Sequence, residues 1–187
     1  KWRLLIILMV SLDIGCGRDK RPSSVGLDAN GSLEGIDVVH EIKRGRCLPF
    51  KDNVFDEVYL TDIVEHVNDV AWLLSEVHRV SKPEARAKIR YPHYSGRNAY
   101  GDVTHRHFLS LGAFDHFDPD TESGKRYKYY KMFGRNFPFA IESIGPAFRR
   151  GRLRWVVYNV LGGAGNEARI SRIFPIENVN LVMRVEK

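Results

Sequence analysis

Apolar residues in the first sixty positions come in short continuous runs rather than at helical spacing. Leu4–Ile14 is an almost unbroken run that stops at a glycine turn, the pattern of a central parallel strand buried on both faces. Ser24–Leu27 and Ile36–Val39 are shorter aliphatic runs, and Val54–Leu60 follows the turn signal Asp52-Asn53. The period then changes. Val67, Val70, Ala71, Leu74 and Val77 recur at three- and four-residue intervals, which predicts a helix to about Val80, stopped by Pro83. Glu76, His78 and Arg79 fall mostly off that apolar stripe. Ala87–Tyr91 predicts a fifth strand ending at Pro92, Leu109–Phe117 a short helix, and Phe139–Ile144 and Asn178–Val185 two late strands. The order predicts an α/β, doubly wound, mostly parallel seven-stranded sheet with an antiparallel edge. One connection is short: six residues separate Gly17 from Ser24, so any helix there is limited to about one turn, and Pro22 also opposes a longer one.

Composition adds little to that picture but excludes several classes. A hydrophobic content of 43% with 11% aromatics over 187 residues is that of a folded chain, and no repeat or Pro/Gly/Ser-rich linker divides it, so a single domain over 1–187 is expected. The net charge of +6 suits an anionic partner. Two cysteines, Cys16 and Cys47, are too few for a disulfide scaffold, and a cytoplasmic location is expected. Lys1 and Arg3 before the apolar run suggest an export signal, but the run is far below the ~20 residues that cross a bilayer, and Asp13 puts a charge just ahead of Cys16. No membrane partner is expected.

In a doubly wound sheet, ligands bind at the carboxyl ends of the strands. Gly15 and Gly17 in Leu12-Asp13-Ile14-Gly15-Cys16-Gly17 permit a tight bend and close approach of a ligand to the backbone. Asp28 closes the second strand eleven residues after Gly17, where its carboxylate can accept from two vicinal hydroxyls of a ribose. With Arg18 after the second glycine there is no G-x-G-x-x-G, which disfavours a dinucleotide.

The ordered segments LDIGCG, VGLDAN, DVVHEI, LPFKDNVFDEVYLTDIVEHV and HRVSKP resemble the class I methyltransferases, in particular the small type 11 methyltransferase-domain proteins. The resemblance covers roughly residues 8–93 and, more loosely, PHYSGRNAYGDVTHRHFLSLGAFDHFDPD and the closing FPIENVNLVMRVEK. It implies S-adenosylmethionine as cofactor, with Asp13, Gly15, Cys16 and Gly17 along the methionine moiety, Asp28 on the ribose, and His40, Glu41 and Ile42 beside adenine. Thr61, Asp62 and His66 are then expected to border the cofactor. Ser81-Lys82-Pro83 runs into Glu84-Ala85-Arg86 where the family usually has Lys-Pro-Gly-Gly, which alters that turn but not the pocket. The sequence starts almost at the first strand, without the family's preceding helix, so a reduced or borrowed lid is expected.

Methyl transfer from a sulfonium is an in-line displacement that needs proximity and, for some acceptors, a base. No Asn/Asp-Pro-Pro-aromatic tetrad occurs, which speaks against an exocyclic amine acceptor. The variable stretch 92–136 is expected to cover the acceptor. Within it His93 and His105 are the candidate bases, since imidazoles titrate near neutrality. A metal site is the competing reading for these imidazoles, but His105 and His107 point oppositely on a strand and diverge on a helix, so no metal is expected. Glu65-His66 reads as the start of the helix, an acidic residue suiting its N-terminal dipole. Basic and aromatic residues interleave at Lys125–Lys131 and Arg149–Trp155, which keeps an RNA acceptor as the alternative to a small molecule. A cofactor-binding partner subunit without catalysis is the third reading.

Overall fold

A computed structural model describes residues 9–148, 158–160 and 162–187. Seven strands form one sheet in the order β3-β2-β1-β4-β5-β7-β6. They are β1 (Ser11–Ile14), β2 (Ser24–Asp28), β3 (Val38–Val39), β4 (Phe55–Thr61), β5 (Ser81–Pro92), β6 (Phe139–Ala147) and β7 (Asn178–Val185). The first five pair in parallel, while β7 runs antiparallel to both β5 and β6. This is the mixed α/β sheet that the alternation of runs predicts. The part of the expected first strand at residues 4–8 lies outside the described residues, as does the whole basic stretch 149–155.

The boundaries shift for local reasons. β3 shrinks to two residues because Asp37 turns its carboxylate to the Gly26 N–H, 2.7 Å away, and to the Lys20 ammonium at 2.9 Å. β5 begins directly after the helix, pairing Ser81 with Phe55 before a bulge that holds Pro83 and Glu84, the latter at φ 64°. The long helix α1 (Val70–Val80) starts at Asp69, whose carboxylate caps the Trp72 N–H. Shorter helices follow at α2 (Arg97–Gly101), α3 (Glu122–Tyr127) and α4 (Glu167–Ile173), with the predicted Leu109–Phe117 helix realised as a 3-10 turn over Leu111–Phe117.

The sheet is packed on one face. Val58, Leu60, Ala87, Ile89, Tyr91, Leu181 and Met183 are buried, and Leu73, Leu74, Val77 and Val80 of α1 join the same core. The ring of Phe114 lies 5.3 Å from that of Tyr91. The alternate positions are polar: β4, β5 and β7 align Glu57 with Arg86 and Arg184. Lys88 pairs with Glu57 at 2.6 Å and Arg86 with Glu142 at 2.7 Å, yet the side chains of Arg86 and Arg90 remain 51% and 46% exposed. No helix occurs in residues 15–69. Among the described residues, turns stand where helices of a doubly wound sheet would connect β1 to β4, and charged side chains line the polar positions of β4, β5 and β7.

α1 also buries two groups outside its apolar stripe. The Glu76 carboxylate, 2% exposed, accepts from the Leu48 N–H at 2.7 Å and from Arg79 and Arg135, each at 2.6 Å. His78 meets the Glu186 carbonyl through Nε2 at 2.7 Å, so this nitrogen carries the proton. Burial holds its pKa below the ordinary 6.5. A depressed histidine stabilises the fold fully above its unfolded pKa and loses that contribution as pH falls through the folded value. Urea midpoints are therefore expected to drop below about pH 6.5 less steeply in His78→Gln than in the parent, and identical pH profiles would remove His78 as a contributor.

Candidate active site

The glycine turn begins where β1 ends. Gly15 sits at φ +67° and Gly17 at φ +54°, both in the left-handed region that favours glycine. A Cβ on Gly15 would stand 2.6 Å from the Ile63 side chain, whereas one on Gly17 would meet nothing within 4 Å. The turn thus closes inward on β4 and leaves its outer rim open. The N–H groups of Gly15 and Cys16 both donate to the Leu27 carbonyl, at 2.7 and 3.3 Å. Asp13 is buried beside them, accepts from the Arg21 N–H at 2.8 Å, and has its pKa raised by burial. A cavity of about 530 Å³ opens here between Asp13, the turn, Lys20, Arg21, Thr61 and Asp62. Arg21 stacks its guanidinium 4.2 Å from the centre of the Tyr59 ring and reaches the Thr61 hydroxyl at 3.5 Å. Sequence reasoning missed Lys20 and Arg21; their place immediately after a glycine turn was the available signal.

Cys16 is buried in the turn, and desolvation, with Asp13 and Asp28 nearby, raises its thiol pKa. Cys47 is exposed. Iodoacetamide is expected to label Cys47 at least ~10-fold faster than Cys16 in the native protein, since exposed thiols present the reactive thiolate. Equal rates, followed by mass spectrometry, would contradict this burial.

A second cavity of about 250 Å³ shares Gly15 and runs past Asp28, His40, Glu41, Ile42, Ile63 and His66. Asp28 takes the Gly17 N–H on one carboxylate oxygen at 3.0 Å and the Asn30 N–H on the other at 2.8 Å. Each oxygen keeps a further lone pair for a hydroxyl. The His40 N–H donates to the Asp28 carbonyl at 2.8 Å, which docks the two segments together. His40 Nε2 is buried without a hydrogen-bond partner, and burial lowers the pKa of the ring. Such an orphaned polar atom in a cavity wall is what a ligand with ring nitrogens could satisfy.

Asp62 links the first cavity to a third, of about 440 Å³, which it lines with Glu65, His66, Arg90, Arg97 and His105. Its backbone sits at φ 52°, a left-handed conformation that costs about 1 kcal/mol or more in a non-glycine residue. The strain is held by the Asp62 N–H bond to the Arg90 carbonyl at 2.9 Å, and Arg90 lies 3.3 Å from the carboxylate. Glu65 is almost fully buried, and desolvation pushes its carboxyl pKa up to about 7. It does not simply begin the helix, whose cap is Asp69.

Two candidate residues part company. His105 lines this third cavity. His93 does not: it is 0% exposed, its Nε2 lies 2.6 Å from Glu167 and its Nδ1 accepts from the Ser95 N–H at 3.2 Å. With both nitrogens engaged it holds β5 to α4, and the expectation of a base at that position is corrected. His107 turns away to the Val67 carbonyl at 2.8 Å. Of the stretch 125–131, the Arg126 guanidinium stacks on Tyr127 at 5.2 Å and Tyr129 on His116 at 4.7 Å, but none of its residues lines the three cavities.

Residues 29–89 match the family model of the methyltransferase domain. No curated protein matches the sequence. Among solved structures, an S-adenosylmethionine-dependent methyltransferase from Archaeoglobus fulgidus is 23% identical, with 94% of this chain and 86% of that one covered at a TM-score of 0.56. One from Mesorhizobium loti is 15% identical over 94% and 90%, TM-score 0.56. The [4+2]-cyclase SpnF is 15% identical over 95% and 75%, also at 0.56. The sheet order, the glycine turn after β1 and the match over residues 29–89 agree: the chain carries a methyltransferase-domain segment and shares the fold of these S-adenosylmethionine-dependent methyltransferases.

Proposed function

We propose that the protein transfers the methyl group of S-adenosylmethionine to a small acceptor with an oxygen or carbon nucleophile. The observation that carries this reading is the continuity of three cavities along the strand ends, joined at Gly15, His66 and Asp62. The donor's nucleoside fits the second cavity, where Asp28 can accept from a ribose diol and the unpartnered His40 Nε2 from adenine. Its methionine part fits the first, beside Asp13 and the open side of Gly17. When bound there, the cofactor supplies an electrophilic methyl group. The residues of the chain do the rest by positioning: Asp62 separates donor from acceptor, and His105 with Glu65 offers groups that can take a proton from a hydroxyl or acidic carbon. Segment 92–136 supplies part of the acceptor wall through Arg97 and His105.

The absence of Lys125–Lys131 from these walls favours a small acceptor over RNA. No helix among the described residues is long and apolar enough to cross a membrane. Calorimetry with S-adenosylmethionine and S-adenosylhomocysteine is expected to show binding to the purified protein, and radiolabelled methyl groups are expected to move into a small-molecule fraction of a cell extract. Because a [4+2]-cyclase shares the fold, binding alone is not enough. Label found only in RNA, or binding with no transfer to any fraction, would overturn the reading.

A further inference from the structure

Glu65, His66 and His105 meet in the third cavity with one ligand-type atom from each lying within 4.8 Å of the others. The hydrogen bonds around them fix which atoms face inward. His105 Nδ1 is 3.0 Å from the Ala99 carbonyl, an acceptor only, so this nitrogen carries the proton and Nε2 is a lone pair. The Thr104 hydroxyl donates to Asp102 at 2.7 Å and must therefore accept from His66 Nδ1 at 2.9 Å, which leaves His66 Nε2 a lone pair as well. Glu65 Oε2 is buried with no hydrogen-bond partner, on a side chain that is almost fully buried. Three ligand-type atoms converge, and among the described residues no hydrogen bond joins them to one another.

The supports are of the kind that orients metal ligands: one imidazole N–H on a backbone carbonyl, the other on a hydroxyl backed by a carboxylate. The backbone also holds the parts together, since the Arg106 and His107 N–H groups donate to the Glu65 carbonyl at 2.8 and 3.3 Å. Two imidazoles and one carboxylate on adjoining segments, open to a cavity, make a set that suits a divalent transition ion with free coordination positions. The geometry points to a binding site for one divalent transition-metal ion at Glu65, His66 and His105. On the methyl-transfer reading proposed above, the open positions face the third cavity, and the ion would replace Glu65 and His105 as the activating group: a hydroxyl bound to it would release its proton to solvent more readily. Metal binding itself does not depend on that reading.

Cobalt(II) titration tests it, because nitrogen ligation in a low-coordinate site gives visible d–d absorption. One equivalent is expected to bind with such bands, and acetohydroxamate, a bidentate oxygen ligand, is expected to shift them. His105→Ala and His66→Ala are expected to weaken binding by at least about 100-fold, beyond the 10–100-fold that losing a supporting partner costs. Thr104→Val should fall within that lesser range and keeps the proposal open to test if a ligand variant fails to fold. His107→Gln, whose ring is engaged elsewhere, should bind as the parent does. Cobalt without d–d bands, or equal affinity in the parent and His105→Ala, would overturn the site. Binding with intact bands but no response to acetohydroxamate would remove the open positions while leaving methyl transfer to be judged by the label assay.

Discussion

Glu76→Ala is expected to lower the stability of the protein by about 3–5 kcal/mol, the cost of removing one partner from a buried charge network. In the parent, the carboxylate is the shared acceptor of Arg79, Arg135 and the Leu48 N–H. Arg79 in turn donates to the Leu48 and Phe50 carbonyls at 2.9 and 2.8 Å and to Asp52 at 2.8 Å. Without Glu76 the two guanidinium groups face each other across an unfilled space, and the segment before β4 loses its tie to α1. For a chain of this size the loss corresponds to a drop of about 10 °C in Tm. Desolvation alone would raise the Glu76 carboxyl, but the hydrogen bonds from Arg79, Arg135 and Leu48 outweigh it and hold the pKa below the ordinary 4.5. The contribution is therefore complete above that value and disappears as pH falls through the depressed one. Urea denaturation of the parent and of Glu76→Ala should converge in acid and separate at neutrality. A neutral-pH difference under about 0.5 kcal/mol, the range of ordinary surface substitutions, would mean the network contributes nothing.

The second large effect falls on the cofactor. Asp28→Ala is expected to weaken S-adenosylmethionine by about 100-fold, since two hydrogen bonds to a charged group contribute roughly 1.5 kcal/mol or more each and every 1.4 kcal/mol is tenfold. Part of the loss arises inside the protein, because the same carboxylate receives the Gly17 N–H and so sets the turn. Comparing S-adenosylmethionine with methionine separates the two: ribose recognition lost alone weakens only the nucleoside, while a disturbed turn weakens both. Calorimetry giving one affinity for parent and variant would place the ribose elsewhere.

The strands were legible because β1, β2 and β4 are short apolar runs between turn residues, and α1 because its stripe repeats at the helical period. What one-dimensional patterns concealed was set by distant partners. Glu76 and His78 look solvent-facing until Arg135 and Glu186, from beyond β5, complete them. The glycine turn and the Asp28 carboxylate that ties to it were readable since Gly15, Gly17 and Asp28 lie close in sequence and each answers a local need. The third cavity was less so. Glu65 and His66 read as a helix start, His66 also as a border of the cofactor and His105 as a candidate base, and only the backbone bonds from Arg106 and His107 to Glu65 bring them together. His93 misled because its sequence neighbourhood is polar while its position at the end of β5 is the interior.

The helix-free connection between β1 and β2 bears on how the chain folds. Ser11 pairs with Ser24, thirteen residues away, whereas a strand–helix–strand unit commonly needs 30 or more. Loop-closure entropy rises with the logarithm of length, so this pairing costs about 0.7 kcal/mol less to form than the usual one. A parallel strand pair is ordinarily among the slower events of folding because its contacts are remote in the chain. Here it is nearly local, so the glycine turn between β1 and β2 can assemble early, before β7 arrives from the far end to finish the sheet.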